Sequence, residues 1–316
     1  MSNTSQISLC NVTVIDHAYI DDNGNVVGGS FHGSFIVSGK MDPIEKVVVD
    51  FSTIKKDLKH WIDNKECGFD HKLWVIEGWS KVDSIVTSFD EDNNEQLKIT
   101  TPNVVLSVPQ SAIKHIKDVP IIAPGYTTEY ISAAITMFLH HNLRPIYPDA
   151  ELVVETYLSR LCETFNPLEL NGTAPIYFRY SHGLKDSTSW GCQNIAHGHL
   201  SFIVAHFVEH ELTDVQLMRL MCALRGIASD LDNVVFVNAD NIVTSDDDSI
   251  QLEYTTERGT FTAKYKNHKV IVLKTETTIE YIVEYVKQSY GSLLLDAGVV
   301  KLTVSEGLSK GAVIDL

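Results

Sequence analysis

Residues 191–199 read GCQNIAHGH and are followed by LSFIVA, residues 200–205. The second segment is rich in β-branched and aromatic residues, which predicts a strand. Residues i and i+2 of a strand point to the same face, so we expect His197 and His199 to lie side by side, separated only by Gly198. Two imidazoles in this arrangement can share one metal ion.

A third histidine and a thiol lie close to this pair in the sequence. His182 ends an apolar segment, residues 176–181, which also has the composition of a strand. If the two strands pair, His182, His197 and His199 leave the fourth position of a Zn²⁺ ion open, as in catalytic zinc sites. Cys192 would then lie beside the metal without ligating it. The alternative is that these are ordinary polar residues of a hairpin.

This pattern, a histidine followed by Cys-x4-His-Gly-His, resembles the 6-pyruvoyltetrahydropterin synthase / 6-carboxytetrahydropterin synthase family. The resemblance implies the tunnelling fold (T-fold), an α+β unit of order β-β-α-α-β-β with antiparallel sheets and helices on one face. It implies a Zn²⁺ cofactor and a small-molecule pterin substrate. It also implies a Cys-Asp-His triad whose Asp-His pair comes from a neighbouring unit.

Composition describes an ordinary globular protein. The 316 residues suit two domains of about 150 residues each, and 44% of them are hydrophobic against 21% charged. The net charge of −16 argues against a nucleic-acid-binding surface. We expect no membrane partner, because no apolar run reaches the ~18–20 residues of a membrane span. The N-terminus lacks the features of a signal peptide, and five irregularly spaced cysteines indicate reduced thiols, so a cytoplasmic location is expected.

An internal repeat divides the chain. Residues 70–101 and 232–256 share an Asp-led apolar run, an acidic turn and a Gln-Leu strand, at an offset of roughly 150 residues. We therefore predict two tandem T-fold copies, at 1–166 and 172–316, joined at Asn166-Pro167 and Asn171-Gly172. Each copy is predicted to have two strands, a helix, a β insertion, a second helix and a final strand.

The residues that resemble the family's catalytic apparatus are split between the copies. Copy two supplies the metal ligands and Cys192, but Asn233 stands where the family has a histidine. Copy one supplies Asp70 and His71, whereas His17 and His32 are all that remains of its metal region. The sequence therefore predicts one composite site, with zinc and Cys192 from copy two and Asp70-His71 from copy one. The alternative is that both copies are inert and form a scaffold.

The resemblance also assigns roles within this composite site. Cys192 would act as a base once its pKa is lowered by a nearby cation. Asp70 would orient His71, which would exchange a proton with Cys192 or the substrate. A glutamate on the last strand would accept two N–H bonds from the pterin edge. Either copy offers candidates for substrate binding: Glu155, Thr128 and Glu129 in copy one, and Glu306, Thr278 and Glu280 in copy two.

The reaction favoured by the resemblance is conversion of 7,8-dihydroneopterin triphosphate to 6-carboxy-5,6,7,8-tetrahydropterin, on the route to 7-deazaguanines such as queuosine. Alternatives are formation of 6-pyruvoyltetrahydropterin, non-catalytic pterin binding, and the NADPH-dependent nitrile reduction of tandem T-fold reductases, which lack a His-x-His zinc site. Cys192 argues against the branch that carries Glu at this position and makes a folate precursor. We also expect a homo-oligomer, because T-folds close their sheets into rings.

One further motif, H-x-x-E-H at residues 206–210, is spelled like an inverted zinc-protease motif. That motif requires a helix, whereas this segment continues a predicted strand, where i and i+4 lie roughly 13 Å apart. We therefore interpret it as unrelated to metal binding.

Overall fold

The structure, a computed structural model, describes residues 4–90, 93–120, 122–161, 170–208, 212–246, 248–266 and 268–316. The predicted join at residues 166–167 lies outside the described residues, as do residues 209 and 210 of the H-x-x-E-H motif.

Among its described residues, the first half of the chain has two α-helices and eight strands. They are β1 Thr4–Ile20, β2 Val26–Lys40, α1 Phe51–Ile62, β3 Lys72–Ile76, β4 Ser84–Phe89, β5 Glu95–Thr100, β6 Val104–Pro109, β7 Ile113–Ile116, α2 Thr128–Leu143 and β8 Val153–Ser159.

The described part of the second half has two more α-helices and ten strands. They are β9 Leu170–Gly172, β10 Ile176–His182, β11 His197–Val208, α3 Asp214–Leu231, β12 Val234–Asn238, β13 Ile242–Ser245, β14 Ser249–Thr256, β15 Gly259–Lys266, β16 Lys269–Leu273, α4 Ile279–Asp296, β17 Lys301–Glu306 and β18 Lys310–Asp315.

The two halves build sheets with corresponding strand orders. The first sheet runs β7-β3-β1-β2-β8, and the second runs β16-β12-β10-β11-β17-β18, with β9 paired to β11. In both, a long antiparallel hairpin lies at the centre and the strand after the first helix joins it in parallel. The fold is therefore α+β, with one sheet in each half and corresponding strand orders in the two.

A third sheet, called the bridging sheet here, joins the halves. Its order is β13-β14-β15-β6-β5-β4, and β15 of the second half pairs with β6 of the first through Thr262–Ser107 and Tyr265–Val104. The sequence predicted inserted strands in each copy. It did not predict that the two insertions form one sheet, because that pairing spans more than 150 residues of chain.

Three apolar cores follow from this arrangement. Helices α1 and α2 cover one face of the first sheet, and α3 and α4 cover one face of the second. The third core lies between both sheets and the bridging sheet, and it includes Leu73, Val235 and Phe261. In each half, the face of the sheet that is not covered by helices is therefore buried in this third core. Because the third core is shared, it fixes one half relative to the other.

The helix starts follow local capping chemistry. The N-cap of α1 is Asp50, whose carboxylate accepts the Thr53 amide at 2.8 Å. Thr127 caps α2, and Thr213 forms a capping box with Gln216 at the start of α3. In the part of the chain that is described, no helix is both long and apolar enough to cross a membrane.

Candidate active site

Three histidines meet at the inner end of the second sheet's central hairpin. His182 pairs with His197 across β10 and β11, and His199 faces the same side two residues further along. All three are fully buried, and one ligand nitrogen from each lies within 4.8 Å of the others. The predicted strand spacing therefore brings the three imidazoles together.

Each of these rings has its Nδ1 atom directed at an oxygen. The Nδ1 atoms of His182 and His197 lie 2.7 Å from the Thr277 carbonyl and 2.8 Å from the Asn194 carbonyl. The Nδ1 atom of His199 lies 3.3 Å from Asp16 Oδ1. Such oxygens favour a proton on Nδ1 and leave Nε2 as the metal-binding atom, as outer-shell partners do in metal sites.

The Nε2 atoms of the three rings face one another. His182 Nε2 lies 3.1 Å from His199 Nε2, and His197 Nε2 is buried without a hydrogen-bond partner among the described residues. Burial lowers the pKa of His182 to about 3 and that of His197 well below its usual value, so both rings are neutral. Converging imidazole nitrogens can share a cation, and the donor set fits Zn²⁺.

Asp16 was not predicted from the sequence, although it completes this cluster. It lies on β1, in the opposite half of the chain from His199, and its Oδ1 also accepts the Ser30 hydroxyl at 2.5 Å. Burial alone would raise the pKa of Asp16, but His199 and then Lys310 outweigh it and hold the pKa well below its ordinary value. Asp16 is therefore a buried carboxylate within ion-pair distance of a candidate metal ligand.

Asp70 and His71 meet the site from the first half. His71 Nδ1 lies 2.6 Å from Asp70 Oδ2, and the other Asp70 oxygen accepts the Asp16 amide at 2.9 Å. The His71 ring is 5.4 Å from that of His197, between centroids. His71, Cys192 and His197 form a second group whose ligand atoms lie within 4.8 Å of one another. The structure thus brings together the residues that the sequence assigned to a composite site.

The loop that carries Cys192 packs directly on His71. A Cβ atom added to Gly191 would lie 2.7 Å from His71 Cβ, so only glycine allows this approach. The Asn194 side chain donates to the His71 carbonyl at 3.2 Å and to the Ala112 carbonyl at 3.0 Å. Asn194 therefore links the loop of the second half to the backbone of the first.

The charges of His71 and Cys192 are coupled. Burial would lower the pKa of His71, but Asp70 and then Cys192 raise it well above its usual value. Burial would likewise raise the pKa of the Cys192 thiol, but the hydrogen bond and charge of His71 lower it. The pair can therefore exist as thiolate and imidazolium, which makes the sulfur a competent base.

Glu306 is the predicted substrate-binding residue that lies at the site. Its Oε1 is 3.8 Å from His199 Nε2, and its Oε2 is 3.3 Å from Lys310 Nζ. Burial would raise its pKa, but His199 and Lys310 lower it, so the carboxylate is ionised.

The other predicted substrate-binding residues lie outside this cluster. Glu155 is exposed on β8, where it accepts the Tyr157 hydroxyl at 2.8 Å. Glu129 and Glu280 are exposed in the first turns of α2 and α4. Thr278 is the N-cap of α4, and Thr128 follows the N-cap of α2. The threonine that contacts a site histidine is Thr277, which precedes Thr278 and whose carbonyl lies 2.7 Å from His182 Nδ1.

Strand register shows that His17 and His32 are not remnants of a second metal site. When the central hairpin β1-β2 is aligned with the central hairpin β10-β11, the pair His17 and Gly29 matches the pair Tyr180 and His199. His17 therefore corresponds to Tyr180 and not to a candidate ligand. The counterparts of His182, His197 and His199 are Tyr19, Val27 and Gly29. The offset at the site is longer than the one inferred from the repeat, which explains the misassignment.

The equivalent region of the first half has the opposite charge and is filled with aromatic rings. Arg160 of the first half corresponds to Glu306, and Arg179, which reaches this region from the second half, corresponds to Asp16. The Tyr19 and Tyr126 rings stack at 3.5 Å, and His17 stacks on Trp74 at 3.5 Å. His17 has both ring nitrogens engaged, by the Ile15 carbonyl and the Tyr126 hydroxyl. This region offers no cation site among the described residues.

Asn233 nevertheless keeps the backbone of its counterpart His71. Asn233 has a φ of 61° and His71 a φ of 53°. The Asn233 amide donates to the Arg179 carbonyl, and the His71 amide donates to the carbonyl of Asp16, which occupies the corresponding strand position. Asp232 accepts the Arg179 amide as Asp70 accepts that of Asp16. The two turns are therefore one structural motif, which retains a histidine in the first half alone.

Comparison with known proteins finds solved structures only. No protein-family profile and no curated protein matches the sequence. The matching structures include a catalytic-residue mutant of Plasmodium vivax 6-pyruvoyltetrahydropterin synthase, with 13% identity and a TM-score of 0.34 over 46% of this chain and 99% of that one.

Two further structures match to a similar extent. The Plasmodium falciparum 6-pyruvoyltetrahydropterin synthase has 14% identity and a TM-score of 0.33 over 46% of this chain and 97% of that one. An uncharacterised protein from Wolinella succinogenes has 15% identity and a TM-score of 0.31 over 46% and 98%. Over about half of its length, the chain is thus weakly similar to 6-pyruvoyltetrahydropterin synthases, and its chemistry is argued from its own side chains.

Proposed function

We propose that the chain is a tandem T-fold lyase that acts on 7,8-dihydroneopterin triphosphate at one composite, zinc-dependent site. The observation that carries this proposal is a contact between the two halves of the chain. Asp70 and His71 of the first half lie against Cys192 and His197 of the second. The corresponding strand orders of the first and second sheets support the tandem assignment.

In this proposal His182, His197 and His199 hold the metal. A bound Zn²⁺ would supply Lewis acidity toward the hydroxyl groups of the substrate side chain. The fully buried histidines exclude water from that side of the site, and Asp16 fixes the orientation of the His199 ring.

Cys192 acts as the base and His71 as its proton partner. The His71 contact favours the thiolate, which can remove a proton from the substrate. Asp70 bonds His71 at Nδ1, so Nε2 is the atom that exchanges the proton. His71 Nε2 is buried and has no other hydrogen-bond partner within the described parts of the chain, which leaves it free for this role.

Glu306 anchors the pterin ring in this account. An ionised carboxylate can accept two N–H bonds from the 2-amino-pyrimidinone edge, and Glu306 is the one predicted glutamate placed beside the metal ligands. Lys310, 3.3 Å away, stabilises its charge. Glu155, Glu129 and Glu280 are then solvent-exposed residues without a part in this site.

We favour 6-carboxy-5,6,7,8-tetrahydropterin as the product, with 6-pyruvoyltetrahydropterin as the alternative. We also propose a homo-oligomer, since β7, β8 and β16 end their sheets with one side unpaired within the described part of the chain.

The test is incubation of zinc-loaded protein with 7,8-dihydroneopterin triphosphate, with Cys192→Ala and Cys222→Ala in parallel. We expect triphosphate release by wild type and Cys222→Ala, but not by Cys192→Ala. Acetaldehyde in step with triphosphate identifies the carboxy product, and triphosphate alone identifies the pyruvoyl product. Zinc binding without triphosphate release by wild type would contradict the lyase assignment and favour a pterin-binding protein.

A further inference from the structure

Arg258 reaches the Cys192 loop from the turn between β14 and β15. Its Nη1 donates to the Trp190 carbonyl at 2.9 Å and lies 3.4 Å from the Gly191 carbonyl. Its guanidinium carbon is also 3.6 Å from the centroid of the Trp190 ring. One side chain therefore holds both the ring and the backbone of the two residues that precede Cys192.

Other residues of the bridging sheet hold the same loop further along. The Tyr254 hydroxyl donates to the Gln193 carbonyl at 3.0 Å, and the Tyr265 hydroxyl donates to the Ile195 carbonyl at 3.4 Å. Both tyrosines are buried. The bridging sheet thus contacts the loop on both sides of Cys192. Arg258 makes the contacts to the residues before Cys192, and the two tyrosines make those to the residues after it.

The first half of the chain also contacts Trp190. Lys72 Nζ and Lys65 Nζ lie 5.4 Å and 5.6 Å from the centroid of its ring. Lys72 is itself fixed, because its Nζ donates to the carbonyls of Lys65 and Ser111 at 2.5 Å and 2.6 Å. Trp190 therefore has fixed cations around it from both halves.

We propose that Arg258 is a positioning residue that holds Cys192 against His71. Gly191, whose carbonyl faces Arg258, is the residue that packs on the His71 side chain, so a shift there separates the sulfur from the imidazole. The proposal rests on the proposed function only in taking Cys192 as the catalytic thiol.

Arginine is suited to this position in a way that lysine is not. A planar guanidinium can stack on an indole ring and donate to carbonyls from its edge at the same time, whereas an ammonium group is a point charge. Arg258 Nε and Nη2 are buried without a partner among the described residues, so the side chain is held by Trp190 and the loop backbone.

The metal ligands are held by other groups. Thr277 orients His182, and Asp16 lies against His199. Asn194, which orients His197, is itself bonded to the His71 and Ala112 carbonyls. Loss of Arg258 should therefore loosen the loop and leave the zinc in place.

The experiment compares wild type with Arg258→Met, Arg258→Lys and the exposed helix variant Arg219→Met. Zinc content, hydrogen exchange of peptides from residues 184–196, and steady-state kinetics with 7,8-dihydroneopterin triphosphate are measured on each protein. For Arg258→Met we expect full zinc content, roughly 10-fold faster exchange in that loop alone, and a kcat lower by about 10- to 100-fold at nearly unchanged KM. Arg258→Lys should show the same pattern more weakly, and Arg219→Met should match wild type.

Unchanged exchange of the loop in both Arg258 variants would overturn the proposal. So would loss of zinc together with faster exchange throughout the second half, since Arg258 would then be a general structural residue. If wild type releases no triphosphate, the proposed function fails, and the loop exchange still decides whether Arg258 positions Cys192.

Discussion

Asp16 contributes to the candidate site from the first half of the chain, whereas His199, whose Nδ1 lies 3.3 Å from it, belongs to the second half. The histidines could be predicted from the sequence, because their spacing on neighbouring strands determines which side chains meet. Asp16 could not, because its contact with His199 depends on how two sheets pack together. The contact between the Thr277 carbonyl and His182 was not predicted either, since the resemblance named the next residue, Thr278, and named it as a substrate-binding residue.

Replacing Asp16 with Asn should weaken metal binding. The amide keeps the size of the carboxylate but loses its charge, so His199 becomes a poorer ligand, and affinity for Zn²⁺ should fall by roughly 10- to 100-fold. Competition with a chromophoric chelator measures this. Asp83→Asn, far from the cluster, is the matched control, and equal affinities for the two variants would rule out a role for Asp16 in orienting the ligand.

The buried Lys72 should make stability depend on pH. Burial lowers its pKa from 10.5 to about 8, so between these values the unfolded chain binds more protons than the folded one. The free energy of unfolding of wild type should therefore rise with pH across this window, relative to Lys72→Met, by roughly 1 kcal/mol per pH unit. Urea unfolding of both proteins from pH 8 to pH 10 tests this, and a constant difference would show that the Lys72 pKa is not lowered.

At the scale of elements, the hairpins of the first and second sheets meet through glycines. A Cβ on Gly28 of β2 would lie 2.1 Å from the Tyr180 carbonyl and 2.6 Å from the His199 amide, and one on Gly198 would lie 2.8 Å from Gly28 Cα. Most central strands and helices α1 to α4 were predicted from residue pattern. The bridging sheet and this close contact were not, since both depend on pairing between the halves.

Gly28→Ala should be strongly destabilising, because the added methyl group would overlap the backbone of the opposing hairpin. We expect a loss of at least about 2 kcal/mol in urea unfolding. Gly226→Ala is the matched control, because a Cβ added there has no neighbour within 4 Å. The substitution also replaces a glycine in the interior of α3 with a better helix former. That control should be neutral or stabilising by up to about 1 kcal/mol. Equal effects of the two substitutions would mean that the hairpins are further apart than described.

At the scale of the whole molecule, two halves with corresponding sheets contribute to the one composite site that we propose among the described residues. The first half keeps Asp70 and His71, while Tyr19, Val27 and Gly29 stand where the second half has the candidate metal ligands. Arg160 of the first half corresponds to Glu306, and Arg179 of the second half corresponds to Asp16. The division of roles between the halves stays a prediction of the sequence, whereas strand register corrects which first-half residues correspond to the candidate ligands.

We therefore expect about one zinc per chain. His199→Ala should lose it, whereas His17→Phe, which keeps an aromatic ring against Trp74, should retain it. Metal analysis of the purified proteins measures both. Two zinc ions per chain, one of them lost in His17→Phe, would show that the first half retains a metal site.

The composite site itself is tested most directly by triphosphate release from 7,8-dihydroneopterin triphosphate by zinc-loaded His71→Ala. His71 belongs to the half without metal ligands, so the variant should keep its zinc and yet react about 10²- to 10⁴-fold more slowly than wild type. His115→Ala, an exposed histidine of the same half, should react at the wild-type rate. Wild-type turnover by His71→Ala would show that the first half takes no part in the chemistry.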